Sequence, residues 1–525
     1  MDAAAPVFEP RLDALRWARR VTPVQAGIAF ALLALGIRAV GLASRPLWLD
    51  EAYSAWFSAR GWHYLWSVVP TYEVHPPFYY SLVKLWRGLF GGGAVALRSL
   101  SILFSVATIP VMIAAVSEQE RQDPTGRPLL RACAVAFLAA FSPMLVLLGQ
   151  EARPYPLLIF AYALATLGLL RLLREFGAGT SGSWRSWVLL GVGVEVALWA
   201  HALGILYALC LMLALLPAWI ARPFHRERLF RGVAVATLAA LAYAPCLAMM
   251  ASRTGDWGTG WLSWKPVMLF QLLGLYSVPG EALTAGSAVA AVAILLLIKR
   301  ALQSTIEKSG WTADRALLLL WLGPPLLAVL ISATFMPIFL PRTLVATLVP
   351  AYLAIAGALA RTPSATERKW VAAAIAITLV PTALQVATRP AMERWDEVNS
   401  YLKSHVRPGD EVWVYPNDSA LPLGELGAAP YRPHGIPADY PAVGVGGPIR
   451  AGSPAVVSLT HDQAHAVALD PVHRRTPTIW LVTRQSGLFD PQNELPFALA
   501  QVRQPGKTQL WGYIAVQPFT AHSGR

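Results

Sequence analysis

The chain has 525 residues, of which 55% are hydrophobic and only 14% are charged, and its formal net charge is +13. With a mean hydropathy of +0.47 this composition excludes a chain that is soluble throughout, because repeated apolar runs of about 20 residues are typical of membrane helices. The basic residues lie in loops between those runs, as the positive-inside bias predicts, so nucleic-acid binding is not indicated. No disulfide framework is indicated either, because the cysteines all lie inside apolar runs (Cys133, Cys210 and Cys246).

The first predicted membrane span covers about residues 24–42. Basic residues precede it and no small-residue cleavage site follows a short apolar core, so we expect an uncleaved first helix with a cytoplasmic N-terminus. The stretch "WLDEAY" then falls on the outer face and places two neighbouring carboxylates there, Asp50 and Glu51. The basic residues before the span are Arg11, Arg16, Arg19 and Arg20.

The segment "HPPFYYSLVKLWRGLF" (His75 to Phe90) decides the topology of everything after it. About 14 residues follow its prolines, which gives about 21 Å of helix against a membrane core of roughly 30 Å. We predict that this helix lies on the outer surface, inside a long external loop at about 44–96. If it crossed the membrane, the basic loops that follow would fall on the outer side, against the positive-inside bias.

Residues 1–388 are therefore predicted to form a polytopic α-helical membrane domain with about eleven transmembrane helices. The topology puts the turn "GQEARPY" (Gly149 to Tyr155) on the same outer face as Asp50. After the first span, the others are predicted near 97–116, 132–148, 155–173, 187–200, 203–220, 232–250, 284–299, 316–334, 343–360 and 370–388.

The composition changes after Arg389, and residues 389–525 are predicted to form a soluble α/β domain on the outer side of the membrane. The domain carries no nucleotide or metal motif, so we expect it to be accessory. Its strands are predicted at Glu411 to Tyr415 and in the segments "PAVVSLT", "TIWLVT" and "LWGYIAV". An amphipathic helix precedes them, with an apolar face made of Trp395, Val398, Leu402 and Val406.

Acidic, basic and amide side chains gather at the outer membrane surface on this topology. Such a mixture suggests a reaction between a lipid-borne group and an external acceptor. Simpler roles stay open for each residue, because carboxylates also cap helices, loop residues also face solvent, and arginines also anchor lipid headgroups. The candidates are Asp50, Glu51, Glu73 and His75 in the long loop, Gln150, Glu151 and Arg153 in the next external turn, His201 in a third, and Arg342 in "FLPRT".

Four stretches carry a resemblance to a known family. In chain order, "WLDEAY", the HPP segment, "ALRSLSILF" and "SPMLVLLGQEARPYPLLI" resemble the polyprenol-dependent membrane glycosyltransferases of the GT-C class. Within that class the chain is similar to bacterial proteins related to glycosyltransferase family 39, the protein O-mannosyltransferases and lipid A aminoarabinose transferases. The resemblance covers most of residues 45–360. Two further matches depart from the family pattern, with Ala200 in place of a threonine and Thr343 in place of a tyrosine.

The resemblance implies a GT-C-like membrane domain and a sugar donor carried on a polyprenyl phosphate. It implies transfer to an envelope acceptor, whether a lipid, a polysaccharide or a protein, on the outer face of a bacterial cytoplasmic membrane. It also implies that Asp50 is the catalytic base. The family's second acidic position lies just before the HPP segment, and Glu73 is its nearest match.

The chemistry of such a transfer explains the residue types. Displacing a phosphate from an anomeric carbon passes through an oxocarbenium-like state, and the attacking hydroxyl needs a carboxylate to take its proton. The departing phosphate gains negative charge, which arginine binds bidentately. No cofactor is required, and a divalent cation between Asp50 and the phosphate is left open. We expect Arg153, Arg342 and His75 to bind the phosphate, and Glu51 to cap its helix or orient Asp50. Glu151 would hold Arg153 or bind sugar hydroxyls, and Gln150 and His201 would line the walls of the site.

The main alternative is a multi-span transporter or lipid flippase for envelope glycolipids, which would place ionisable groups near the membrane midplane. Glu195 lies inside a predicted span and fits that pattern, but a structural pairing with Arg38 is the simpler interpretation. A catalytically inactive scaffold or a partner-binding membrane protein is the second alternative. An enzyme predicts instead that Asp50, Glu151 and Arg342 converge at one external site.

Overall fold

The computed structural model describes residues 21–221, 225–251, 264–275, 293–303, 311–445 and 455–522. The described residues before 388 are mostly helical, and those after 394 form a sheet with short helices. The chain is thus a polytopic helical membrane protein with a C-terminal α/β region, as the sequence predicts.

The first described helix of the membrane domain is α1 (Pro23–Ala39). A capping box marks its start: the Thr22 hydroxyl accepts the Gln25 N–H at 3.2 Å and the Gln25 side chain accepts the Thr22 N–H at 2.9 Å. A helical segment at 293–303 and short 3₁₀ or π turns accompany the longer helices. The helices that follow are α2 (Leu49–Ala59), α3 (Phe78–Phe90), α4 (Ala94–Gln122), α5 (Pro128–Phe141), α6 (Pro143–Gly149), α7 (Tyr155–Gly177), α8 (Trp184–Ala200), α9 (Gly204–Trp219), α10 (Arg226–Ala251), α11 (Ala313–Thr334), α12 (Leu348–Arg361) and α13 (Ala365–Ala387).

The described helices account for part of the predicted span count. Six are long and apolar enough to cross a membrane, or seven if α5 and α6, which are bent by 54° at their junction, form one span. Two shorter apolar helices, α1 and α9, coincide with further predicted spans. A count of about eleven is therefore not confirmed. The span predicted near 284–299 lies partly outside the described residues, and the arginines before residue 21 lie wholly outside them.

The HPP segment forms α3, which has 13 residues and starts directly after Pro77. At 1.5 Å per residue it is about 20 Å long, and it is not among the described helices that are long and apolar enough to cross. It packs against α2 and α4. Its place on the outer surface of the membrane stays a prediction.

The helices α7 and α8 pack closely because each has a glycine at their contact. A Cβ atom on Gly168 of α7 would lie 2.5 Å from the main-chain nitrogen of Leu190. A Cβ atom on Gly193 of α8 would likewise lie 2.5 Å from the main-chain nitrogen of Ala165. Small residues let membrane helices approach backbone to backbone, so these positions admit no side chain.

Arg38 does not pair with Glu195, and the pairing expected from sequence is wrong. The Arg38 guanidinium is buried in α1, where it donates to Ser105 Oγ at 2.7 Å and to the Ala139 carbonyl oxygen at 3.0 Å. Glu195 accepts a hydrogen bond from Trp199 Nε1 on its own helix at 2.8 Å. Main-chain oxygens near the break between α5 and α6 thus satisfy the arginine without a carboxylate.

The described part of the C-terminal domain contains one six-stranded sheet. Its strands are β1 (Glu411–Tyr415), β2 (Pro433–Gly435), β3 (Thr478–Arg484), β4 (Arg503–Pro505), β5 (Gln509–Trp511) and β6 (Ile514–Ala521), and its helices are α14 (Trp395–His405), α15 (Ala420–Glu425), α16 (His461–Leu469), α17 (Ser486–Phe489) and α18 (Glu494–Val502). The strand order is β2-β1-β3-β6-β4, with β5 beside β6. The strand β1 is parallel to β2 and β3, and β6 is antiparallel to its neighbours.

Most predicted elements of this domain are present. The helix α14 buries Trp395, Val398 and Leu402 completely, as its apolar face predicts. The strand predicted in "PAVVSLT" is wrong, because its described residues form only an isolated bridge at Val457 and no extended strand. Side chains hydrogen-bond to main-chain groups on either side of that bridge. Asn417 Nδ2 donates to the Ala455 carbonyl oxygen at 2.9 Å, and the Tyr415 hydroxyl accepts the Leu459 N–H, also at 2.9 Å.

We expect Gly193→Ala to lower the free energy of unfolding by about 1–3 kcal/mol, because the new methyl group would collide with the backbone of α7. Gly36→Ala on α1 is the matched control, since a Cβ atom there meets nothing within 4 Å. The control should keep or slightly raise stability through its better helix propensity. Thermal unfolding of both variants in one detergent would measure the difference, and equal melting temperatures would contradict the close packing.

Candidate active site

Asp50 lies in the first turn of α2, where two distant arginines reach it. Its Oδ2 is 3.5 Å from Nη1 of Arg342 and 3.7 Å from Nη2 of Arg153. Arg153 Nη1 also donates to the main-chain oxygen of Asp50 at 2.9 Å. Arg153 follows α6, and Arg342 lies in the 3₁₀ turn Pro341–Thr347 before α12. Three of the residues chosen from sequence thus meet at one end of the helices.

The contact between these three side chains leaves atoms available for a ligand. Asp50 Oδ2 is buried and makes no hydrogen bond within the described part of the chain. The Nε atoms of Arg153 and Arg342 are also buried there without a hydrogen-bond partner. Two guanidinium groups at 3.5 and 3.7 Å stabilise the carboxylate charge, but they are too far away to hydrogen-bond to it well.

The pKa of Asp50 is lowered. Burial raises this pKa, and the positive charges of Arg153, Arg342 and Arg484 lower it by more. Asp50 is therefore a carboxylate at neutral pH. Arg484 ends β3, so the C-terminal domain contributes a charge to the site.

Glu51 is completely buried and fully hydrogen-bonded. Arg98 of α4 holds it bidentately, with Nε 2.8 Å from Oε1 and Nη2 2.6 Å from Oε2. The main-chain N–H of Ala152 donates to Oε1 at 2.9 Å, and that of Trp48 donates to Oε2 at 3.4 Å. Glu51 therefore joins α2 to α4 and to the turn that carries Arg153, and no ligand can reach it.

Glu73 and His75 lie between α2 and α3, close to a second histidine. Glu73 Oε1 accepts hydrogen bonds from the His75 N–H at 3.1 Å and from the Tyr80 hydroxyl at 3.3 Å. The His75 ring centroid is 4.6 Å from that of His201, and the Tyr155 ring centroid is 5.7 Å from that of His201. The structure thus brings His75 and His201 together, although the sequence places them on separate loops.

His201 is a neutral hydrogen-bond donor. Burial, together with the positive charges of Arg153 and Arg342, lowers its pKa to about 3. Its Nδ1 accepts the Leu203 N–H at 3.0 Å, which assigns the ring proton to Nε2. The Nε2 atom is buried without a partner among the described residues, so it can donate to a ligand oxygen.

Gln150 and Glu151 contact an arginine that the sequence did not single out, Arg389. Gln150 Oε1 accepts from Arg389 Nη1 at 2.6 Å, and its Nε2 donates to the Val40 carbonyl oxygen at 2.8 Å. Glu151 Oε1 is 3.5 Å from Arg389 Nη2, so its ion-pair partner is Arg389 and not Arg153. Burial raises the pKa of Glu151 to about 7, although Arg389 lowers it.

Three arginines at the site were not predicted from the sequence: Arg98, Arg389 and Arg484. Arg98 had a usable signal, since a charge inside an apolar span needs a buried partner. The other two lie at the end of a helix and of a strand, where arginine is common. Among the described residues no group of three or more His, Cys, Asp or Glu side chains is close enough to hold a metal ion.

Comparison with known proteins identifies the fold. No protein-family model matches the chain, and no curated protein matches it. The crystal structure of ArnT from Cupriavidus metallidurans in the apo state matches with a TM-score of 0.59 and 14% identity, over 96% of this chain and 98% of that chain. The same protein bound to undecaprenyl phosphate also gives a TM-score of 0.59 and 14% identity, over 94% and 97%.

A second solved relative in fold is the archaeal oligosaccharyltransferase AglB from Archaeoglobus fulgidus, in complex with an inhibitory peptide and a dolichol-phosphate. It matches with a TM-score of 0.53 and 11% identity, over 96% of this chain and 75% of that chain. At these identities the likeness establishes the fold alone. The chain has the fold of GT-C membrane glycosyltransferases, which confirms the fold that the sequence motifs implied.

Neutralising the two neighbouring carboxylates should destabilise the protein to very different extents. Glu51→Gln leaves Arg98 buried without a counter-charge, so we expect it to cost about 3–5 kcal/mol of stability. Asp50→Asn removes looser and partly exposed ion pairs, so it should cost about 1 kcal/mol or less. Thermal unfolding of the purified variants in the same detergent would compare them. A Glu51→Gln variant as stable as Asp50→Asn would contradict the structural role of Glu51.

Glu151 should make stability depend on pH. Its pKa is raised from 4.5 to about 7, so the folded protein binds more protons than the unfolded chain in that interval. The resulting stability is complete below pH 4.5 and is lost as the pH rises through 7. Glu151→Gln should abolish this loss, so its melting temperature should exceed that of the wild type by a few degrees at about pH 8 and less at about pH 5. Parallel pH curves for the two proteins would contradict this role.

Proposed function

We propose that the protein is a glycosyltransferase that moves a sugar from a polyprenyl-phosphate donor to an envelope acceptor. The reaction would take place on the outer face of a bacterial cytoplasmic membrane, with the N-terminus in the cytoplasm and the C-terminal domain outside. The observation that carries the proposal is the placement of Asp50 Oδ2 between the guanidinium groups of Arg342 and Arg153, at 3.5 and 3.7 Å. A carboxylate beside two cations supplies both a base and a phosphate site.

The geometry supports a division of roles. In the proposed reaction, the acceptor hydroxyl attacks the anomeric carbon, its proton passes to Asp50, and the bond from that carbon to the phosphate oxygen breaks. The lipid phosphate leaves with the electron pair of the broken bond and binds to Arg153 and Arg342. A planar guanidinium group suits this role because it can donate two hydrogen bonds to the phosphate oxygens. His75 is the third proposed phosphate ligand, and the neutral Nε2–H of His201 is placed to donate to a phosphate or sugar oxygen.

The strength of Asp50 as a base depends on the donor in this proposal. Before the donor binds, both arginines act on Asp50 and hold its pKa below the ordinary value despite burial. A bound phosphate brings negative charge to the same arginines, which raises the proton affinity of the carboxylate. Glu73 and Glu151 are further candidates for proton transfer or sugar binding, and Glu151 has a pKa of about 7.

The relatives in fold support the choice of donor. ArnT was crystallised with undecaprenyl phosphate, and AglB was solved with a dolichol-phosphate. Both ligands are polyprenyl phosphates, and no nucleotide is needed to explain the residues around Asp50. A divalent cation could reach Asp50 Oδ2 only with ligand oxygens completing its coordination, because the described residues offer no group of metal ligands. The transporter alternative gains nothing from Glu195, which hydrogen-bonds within its own helix.

We expect Asp50→Asn to keep the fold and donor binding but to lose turnover by about 10²- to 10⁴-fold, because an amide cannot accept the proton. Arg342→Lys should weaken donor use although it keeps the charge, because the bidentate fork is lost. Asp396→Asn, at an exposed carboxylate of α14, is the control. The assay follows loss of radiolabel from a panel of polyprenyl-phosphate sugars incubated with purified protein. An Asp50→Asn variant that retained more than about a tenth of wild-type turnover would exclude Asp50 as the base.

A further inference from the structure

The C-terminal domain contacts α2 on both sides of Asp50 in the sequence. The contacting carboxylates are Glu393, which precedes α14, and Asp418, which follows β1. We propose that Glu393 is a positioning residue for Asp50, which makes the C-terminal domain a component of the active site. The inference rests on the proposed function, and it differs from the accessory role expected from sequence.

Glu393 is buried and accepts four hydrogen bonds. Its Oε2 accepts the main-chain N–H of Leu49 at 2.9 Å and the Trp395 Nε1–H at 2.6 Å. Its Oε1 accepts from Arg484 Nε at 2.7 Å and from the Tyr513 hydroxyl at 3.2 Å. Three of these donors belong to the C-terminal domain, and the fourth belongs to the residue before the proposed base. One carboxylate thus joins the first turn of α2 to the sheet.

The bond to Leu49 fixes the start of α2. The first amide groups of a helix have no acceptor inside it, so they need one from elsewhere. Trp48, at the cap position, offers no side-chain acceptor. The Glu393 carboxylate supplies one, and its charge interacts favourably with the positive end of the helix dipole. Because Asp50 is the next residue, this bond also sets the direction in which its side chain leaves the backbone.

A second contact holds the same face of α2 one turn later. The Tyr53 hydroxyl donates to Asp418 Oδ2 at 2.6 Å, and the Tyr440 ring packs on the Tyr53 ring with centroids 5.3 Å apart. Leu49 and Tyr53 are four residues apart and lie on one helix face. Asp50 lies about 100° further round the helix, on the side of the two arginines of the site.

The same domain acts on Asp50 through charge. Arg484, which Glu393 holds at 2.7 Å, is one of three arginines that lower the pKa of Asp50, together with Arg153 and Arg342. A contact that only held α2 in place would not change the pKa of Asp50. Loss of Arg484 therefore offers a readout that separates positioning at the active site from general stability.

The test uses the full-length protein in detergent with a polyprenyl-phosphate sugar that the wild type consumes. Glu393→Gln should lower kcat about tenfold or more, with the KM for the donor changed less than about twofold, because a misdirected group costs turnover more than binding. Arg484→Met should move the acidic limb of the pH–rate profile to higher pH, because the pKa of Asp50 rises. Glu397→Gln, at a more exposed carboxylate of α14, should change neither.

Hydrogen–deuterium exchange measures the contact without any activity. The peptide that covers residues 49–53 should exchange faster in Glu393→Gln than in wild type or Glu397→Gln. If Glu393→Gln does not fold, Tyr53→Phe removes the second contact without adding bulk and should also lower kcat. Unchanged exchange and unchanged kcat in these variants would overturn the proposal. Failure of the proposed function would look different, because the wild type itself would consume no donor.

Discussion

The buried ion pair between Glu51 and Arg98 is the contact on which the candidate site depends. The same guanidinium donates to the main-chain oxygens of Leu42, Arg45 and Pro46 at 2.7 to 2.9 Å. One side chain of α4 therefore fixes the loop after α1 and the first turn of α2, and Glu51 extends the network to the turn before α7. An isolated charge at this depth would cost several kcal/mol, so the network is stable only when its partners are all present. The position of Asp50 follows from it.

Neighbouring carboxylates serve different purposes because a helix turns by about 100° per residue. Glu51 points into the protein, where every oxygen has a donor. Asp50 points to the side of the helix where Arg153 and Arg342 supply charge but poor hydrogen-bond geometry. Folding thus satisfies one carboxylate and leaves the other under-satisfied. The nearby arginines stabilise the Asp50 carboxylate and lower its pKa, but its Oδ2 has no hydrogen-bond donor among the described residues, and the proposed function gives a reason for that.

The sequence predicts the local features of this protein well, but it predicts poorly which distant side chains form ion pairs. Hydrophobic periodicity locates α14 and most membrane helices, because the buried face of a helix produces a regular pattern of apolar residues in a short stretch of sequence. The motif "WLDEAY" locates Asp50. Pairings such as Glu51 with Arg98, or Glu151 with Arg389, join residues far apart in the chain, and no local pattern records which arginine meets which acid. The same limit explains the false strand at "PAVVSLT", whose apolar residues are buried although only Val457 makes an isolated bridge.

The contacts of the C-terminal domain with α2 change the role that we infer for this domain. The sequence of this domain shows no nucleotide or metal motif, and on that ground it predicts an accessory role. The role proposed for Asp50, however, requires a helix terminus held in place and a balance of charge around one carboxylate. Glu393 satisfies a main-chain amide of α2, and Arg484 adds a third positive charge near Asp50. Neither contribution needs a motif, because each uses one ordinary side chain in the right place. Contacts of this kind become visible only when the fold brings the two domains together.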